Sequence, residues 1–350
     1  MKRLFSFILF LTLGLYLSAQ TDTIMVLIED PLKAELLYNE GTKMYDKGQL
    51  QQALKKFNEA IELKPNFAKA FYNRGVVKAE LDDKSGAISD FSEAIKTEPT
   101  SNAYFQRGKM LYDNNDAEKA KDDFNKAIEL DEKNAQAYYY LGSVLYDERN
   151  YQDAIETYRK ALLDEKDYTF SYSYNDMGTC YKMMEKYDSA LICYKEAAKA
   201  NPKLAFAHNN AGSVYRKIEK YDDAIYEYSK AIDANPEYYI AYNNRGLAKM
   251  DKGDYEEAIA DFSKAIEKKS DYAFAYNNRG TANYKAEKYK EAISDFDKAI
   301  SLNDSYGIAF VNRGSAKEMT RDLKGACEDW KKAQSLGLSN ADLYIKQMCK

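Results

Sequence analysis

Small and aromatic residues recur along this chain in a fixed frame. A glycine stands at Gly41, Gly75, Gly108, Gly142, Gly178, Gly212, Gly246, Gly280 and Gly314, in steps of 34, 33, 34, 36, 34, 34, 34 and 34 residues. Twelve residues after each glycine comes an alanine, from Ala53 to Ala326. Four further on comes an aromatic, from Phe57 to Trp330, and three further on a second alanine, from Ala60 to Ala333. Spacings of four and three share one helical face, so each copy predicts a helix that buries a small–aromatic–small stripe. In four copies a proline follows five residues later, at Pro65, Pro99, Pro202 and Pro236. A period of this length marks a stacked array, in which each unit covers an apolar face of its neighbour.

The frame resembles the tetratricopeptide repeat, with small residues at repeat positions 8, 20 and 27, an aromatic at 24 and proline at 32. The resemblance covers residues 34–340 in nine copies. It implies an all-α, right-handed solenoid of nine helical hairpins, the first helix of each lining a concave face. Glycine at 8 and alanine at 20 let the two helices of a hairpin approach closely, and the aromatic fills the space beside them. Proline at 32 suits the first turn of the next helix. Asp254, with Glu257 three residues on, reads as an N-cap, and Asp30-Pro31 as the cap and first turn of the first helix. The step of 36 puts two extra residues near 162–174, which predicts a longer turn and a bend between repeats 4 and 5. Residues 341–350 read as a helix capping the end of the stack.

Position 7 is usually apolar in this family. Here it is arginine in five copies, each with an aspartate at position 23: Arg74 with Asp90, Arg107 with Asp123, Arg245 with Asp261, Arg279 with Asp295 and Arg313 with Asp329. Repeat 1 reverses the signs with Glu40 and Lys56, repeats 4 and 5 drop both charges, and only repeat 6 breaks the match, with Ala211 against Glu227. This co-variation predicts structural ion pairs across each hairpin. The competing reading is an arginine ladder for an anionic ligand.

Position 6 carries a second regularity, with Asp176, Asn210, Asn244, Asn278 and Asn312 in the last five copies. Its face-mates at position 2 include Tyr172, Phe206 and Phe274. An amide both donates and accepts, so a row of them can hold the main chain of an extended peptide. The arrangement is similar to the asparagine ladder of the O-linked N-acetylglucosamine transferase superhelix and related peptide binders, whose catalytic domain has no counterpart here. The resemblance implies a peptide-binding groove along these eight residues. The bland alternative is packing between repeats. A chaperone-binding subset of the family clamps a carboxylate with lysine at position 5, which here is Tyr, Phe, Asn or Val.

Composition narrows the function. The net charge is −5, and losing Lys2 and Arg3 takes it to −7, against a nucleic-acid partner. One histidine, His208, leaves no room for histidine-dependent nucleophilic catalysis or a histidine-rich zinc site, and it reads as a packing residue. No phosphate-binding loop or acid–base pair stands out, so no enzyme, cofactor or metal is expected. Residues 1–19 have a basic start, an apolar stretch and a small-residue exit, the grammar of a cleaved export signal. Residues 20–33 lead into the array, with no membrane span expected once the signal is gone. In an oxidising compartment Cys327 and Cys349 are placed to pair, pinning the cap, whereas Cys180 and Cys193 are out of register and read as buried thiols. The expected function is a protein-binding scaffold, exported to the periplasm or secreted. A biogenesis factor binding folded partners on its outer surfaces and a carbohydrate-binding module are the alternatives.

Overall fold

The computed structural model describes residues 30–163, 167–339 and 341–349, and among these the chain consists of helices and turns, without strands. It divides into two compact units, one ending at Leu163 and the other beginning at Asp164. The first unit holds four hairpins: α1 (30–46) with α2 (Leu50–Leu63), α3 (Ala68–Glu80) with α4 (Lys84–Thr97), α5 (Ser101–Asp113) with α6 (Ala117–Leu130), and α7 (Ala135–Asp147) with α8 (Tyr151–Lys160). The second holds five: α9 (Tyr168–Met183) with α10 (Tyr187–Ala200), α11 (Ala205–Lys217) with α12 (Tyr221–Ala234), α13 (Tyr239–Lys252) with α14 (Tyr255–Lys268), α15 (Ala273–Lys285) with α16 (Tyr289–Leu302), and α17 (Gly307–Met319) with α18 (Leu323–Ser335). The last helix, α19 (Ala341–Met348), follows.

Each hairpin closes on its repeated glycine. The position-24 rings, from Phe57 to Trp330, are at most 2% exposed. A Cβ built on the glycine of the same hairpin would lie 2.5–2.9 Å from the ring, closer than real contacts allow. The turn inside the hairpin is equally uniform. Position 15 adopts a left-handed backbone in all nine, at Gly48, Asp82, Asn115, Arg149, Glu185, Glu219, Gly253, Glu287 and Arg321. The next amide bonds back to the carbonyl five residues earlier, as Asp83 N does to Lys78 O at 2.9 Å and Lys288 N to Asn283 O at 2.8 Å. This is the Schellman closure, made mostly by residues that pay a steric penalty for the left-handed region.

Several local expectations are corrected. The prolines do not enter the next helix: Pro65, Pro202 and Pro236 stand in the turn before it. They act on the end of the preceding helix, because a proline disfavours helical backbone in the residue before it. Lys64, Asn201 and Asn235 end their helices with ψ of 84°, 94° and 95°, but so do Asp131, Lys269 and Asn303, at 97°, 92° and 98° with no proline after them, so the proline reinforces a stop that the repeat makes in any case. Asp254 precedes α14, but its side chain makes no capping hydrogen bond. Asp83, Asp116 and Asp322 do cap, accepting from Gly86 N, Lys119 N and Gly325 N. Pro31 lies in the first described turn of α1, as expected, while the residues before Asp30 fall outside the described ones. At the two-residue insertion, α8 has 10 residues and α9 has 16, whereas α2–α7 and α10–α18 have 13 or 14 each. The expected bend falls on 164–166, outside the described residues.

Gly246→Ala should cost about 1–3 kcal/mol of stability, since Phe262 must move to admit the methyl group. Glu287→Gly should stabilise by about 1 kcal/mol by removing a left-handed Cβ. Denaturant unfolding of the two variants checks both signs.

Candidate functional site

The position-6 amides sit between successive first helices. Asn210 Nδ2 donates to Asn175 Oδ1 at 3.0 Å, Asn244 to Asn209 at 2.9 Å, Asn278 to Asn243 at 2.9 Å and Asn312 to Asn277 at 3.0 Å. The acceptors occupy position 5 of the preceding repeat and are buried, while the donors are half-buried. Asp176 accepts from Asn175 Nδ2 at 2.9 Å. In the first unit Asn73 donates to the Tyr38 hydroxyl at 3.1 Å, so a tyrosine replaces the acceptor amide. The row therefore spends one N–H of each amide on its neighbour, while Asn244 Oδ1 also accepts from Asn243 Nδ2 at 3.4 Å and Asn312 Nδ2 also reaches Thr281 Oγ1 at 3.5 Å, so the spare donor and acceptor capacity is greatest at Asn210 and Asn278. The asparagines at position 5, each one residue before position 6, are the signal in the sequence that points to this pairing.

Apolar side chains flank these amides. Tyr172 and Phe206, one repeat apart, have ring centroids 5.3 Å apart. Phe274 packs between Tyr272 and Tyr306, at 5.7 and 5.2 Å, yet is 54% exposed, and Ile308 is 51% exposed. The hydroxyls at position 9 turn back onto their own helix: Thr281 Oγ1 bonds Asn277 O and Ser315 Oγ bonds Val311 O. The first helices of the second unit thus present amide edges beside exposed apolar residues.

The arginines form a second, separate system. Arg74, Arg107, Arg245, Arg279 and Arg313 each hold the aspartate at position 23, through Nε and Nη2, at 2.5–3.0 Å. The third nitrogen, Nη1, crosses to position 25 of the preceding repeat: Asn58, Ser92, Ser229, Ser263 and Asp297. Each guanidinium also lies 5.3–5.7 Å from the ring at position 4. The aspartates gain further donors at position 11, from Lys78, Lys249, Asn283 and Lys317. A planar fork suits this bidentate contact, with a donor left over for a third group. A third link joins position 12 to position 13 of the next repeat. Tyr45 donates to Glu80, which pushes its hydroxyl up to about 12, Tyr112 donates to Asp147 at 2.6 Å, and Arg216 to Asp251 at 2.6 Å.

Comparison with known proteins agrees with this geometry. Family models described as TPR repeat match residues 41–82, and as Tetratricopeptide repeat residues 105–168, 182–239, 209–273 and 273–306. The chain belongs to the tetratricopeptide repeat family. Among solved structures, a TPR protein from Parabacteroides merdae is 20% identical, covering 71% of this chain and 99% of its own with a TM-score of 0.53, which shows the shared fold. MamA is 29% identical over 49% of this chain and 93% of its own, with a TM-score of 0.43. YrrB, described as a TPR protein with an unusual peptide-binding site, is 26% identical over 53% and 95%, also at 0.43. No curated protein sequence matches the chain.

The remaining singled-out residues take places in the TPR frame. Cys327 and Cys349 are disulfide-bonded, tying α18 to the end of α19, and Tyr344 of α19 stacks on Trp330 with centroids 5.0 Å apart. Cys180 and Cys193 are buried thiols, and burial pushes Cys180 up to about 12. Glu40 and Lys56 pair at 2.7 Å. In repeat 6, Glu227 instead takes His208 Nδ1 at 2.8 Å, so the partner moves from position 7 to position 4. Among the described residues no cluster of His, Cys, Asp and Glu could hold a metal, and no helix is long and apolar enough to cross a membrane.

Removing one member of a buried pair leaves the other charge unmatched, which costs about 3–5 kcal/mol. Asp295→Ala should therefore destabilise far more than Asp295→Leu combined with Arg279→Met. A denaturant titration of the two variants would show the reverse order if the aspartate were dispensable.

Proposed function

We propose that this TPR protein is a non-enzymatic scaffold that takes an extended peptide segment of a partner along the first helices of the second unit. TPR arrays are generally binding modules, and the reading rests on one observation: half-buried amides adjoin exposed apolar side chains, Phe274 and Ile308, on a single face. Spare amide groups would meet the peptide main chain, while the apolar residues would select its side chains. Tyr172, Phe206 and Asp176 extend the same face towards α9. Because Asn244 and Asn278 also bond the preceding repeat, their contribution to binding is mixed with their contribution to stability.

Export belongs to the same proposal. The leader at 1–19 lies outside the described residues, but a disulfide closing the C-terminal cap supports an oxidising destination, where such bonds persist.

Phe274→Ala with Ile308→Ala separates binding from folding, because both side chains are largely exposed. In selections from a displayed random-peptide library, the wild-type chain should enrich a consensus with spaced aliphatic residues. The double variant should lose that consensus while melting within about 2 °C of the wild type, as surface changes do. Enrichment of one consensus by both proteins would sink this reading.

A further inference from the structure

The arginine link is missing at three internal joints, and at one of them a cleft stands in its place. Between repeats 5 and 6 all three of its parts change together. Position 25 of repeat 5 is Lys195 in place of the usual acceptor, position 7 of repeat 6 is Ala211, and position 4 is His208 in place of an aromatic ring. Repeats 4 and 5 also lack the arginine but carry the larger apolar residues Leu141 and Met177 at position 7, both buried. Over Ala211 there opens a cleft of about 620 Å³, between α10 and α12 with α11 as its floor. That size falls among ligand-binding clefts, roughly 300–1,000 Å³.

The rims of this cleft differ from the rest of the array. Position 22 is Lys55, Ser89, Asp122, Glu156, Ala260, Ser294 and Glu328 elsewhere, but Ile192 and Tyr226 here. These two side chains line the cleft from opposite sides and are 65% and 60% exposed. Lys195, Lys199 and Lys230 also line it, against the single carboxylate of Glu227, which already holds His208. Lys199 has Glu196 at 3.6 Å, whereas among the described residues Lys195 and Lys230 have no carboxylate partner. The surplus is positive in a chain whose net charge is −5.

We propose that this cleft is a second recognition site, on the face of the second helices, for an acidic peptide segment of a partner protein. One apolar side chain of the segment enters over Ala211, held between Ile192 and Tyr226. Its flanking carboxylates lie against Lys195, Lys199 and Lys230. The joint forgoes the arginine so that a side chain from another molecule takes the space the guanidinium fills elsewhere. The site is independent of the groove on the first helices.

The sole histidine lines the cleft, so its imidazole signal in a proton NMR spectrum reports on this place alone. The probe is acetyl-Glu-Asp-Phe-Asp-Glu-amide, titrated into the full chain. A saturable shift of the His208 signal is expected. Replacing the probe's phenylalanine by glycine should weaken binding about tenfold or more, as loss of a buried anchor does. A lysine-for-acid version should leave the signal unmoved. Ala211→Leu, which fills the floor, and Lys195→Glu with Lys230→Glu, which alters only exposed side chains, should each abolish the shift. Phe274→Ala with Ile308→Ala should leave it intact. The proposal is overturned by an absence of saturation at about 1 mM probe, the weak limit of useful affinity, or by equal binding of the glycine probe, the lysine probe or either cleft variant.

Discussion

Everything in this protein depends on a ring pressed against a glycine. In each hairpin the aromatic at position 24 occupies the volume that a Cβ at position 8 would need. That approach lets the alanines at 20 and 27 become fully buried, and so sets how closely the two helices lie. Because nine hairpins obey the same constraint, they have nearly the same shape, and one hairpin can stack on the next through a repeating set of contacts. Stability in such a stack is close to a sum of units and nearest-neighbour joints.

The joints are polar to an unusual degree. Three families of side-chain bonds cross between successive repeats: amides from position 6 to 5, arginines from 7 to 25, and tyrosine or arginine from 12 to 13. Each net contribution is modest, since the groups must leave water to form it. Together they fix register, because an arginine that reaches two helices at once tolerates little sliding. The same logic explains why the joint at Ala211 stands out. Without its guanidinium it keeps the apolar contacts of the stack, and a lysine-rimmed opening takes the place of the link.

The repeat frame was legible in the sequence because every copy had to satisfy the ring-on-glycine contact. The arginine–aspartate partnership was legible because both members vary together across nine internal copies. What escaped notice were partners with variable identity. Wherever an arginine follows in the next repeat, position 25 is Asn, Ser or Asp, all able to accept from Nη1, so no single residue type drew attention. Position 5 is an accepting tyrosine at Tyr38 and an accepting asparagine at Asn175, Asn209, Asn243 and Asn277, so one role is carried by two residue types. The left-handed turn residue is aspartate, asparagine, arginine, glutamate or glycine, because backbone closure, not side-chain chemistry, holds it there. The amides of position 6 showed the complementary difficulty. Their spacing marked a surface, but the spacing alone did not show that each would spend a hydrogen on the repeat before it.

The uniform left-handed turn has a consequence for how this chain can change length. Both departures from the period, the step of 33 and the step of 36, fall between hairpins, near Pro99 and in 161–167, and neither falls within one. An extra residue inside a hairpin would rotate the ring away from its glycine and unlock the whole unit. One placed between hairpins only alters how the chain passes from one unit to the next. The hairpin is in this sense indivisible, and growth, deletion or grafting of such an array has natural seams only where a second helix hands over to the next first helix.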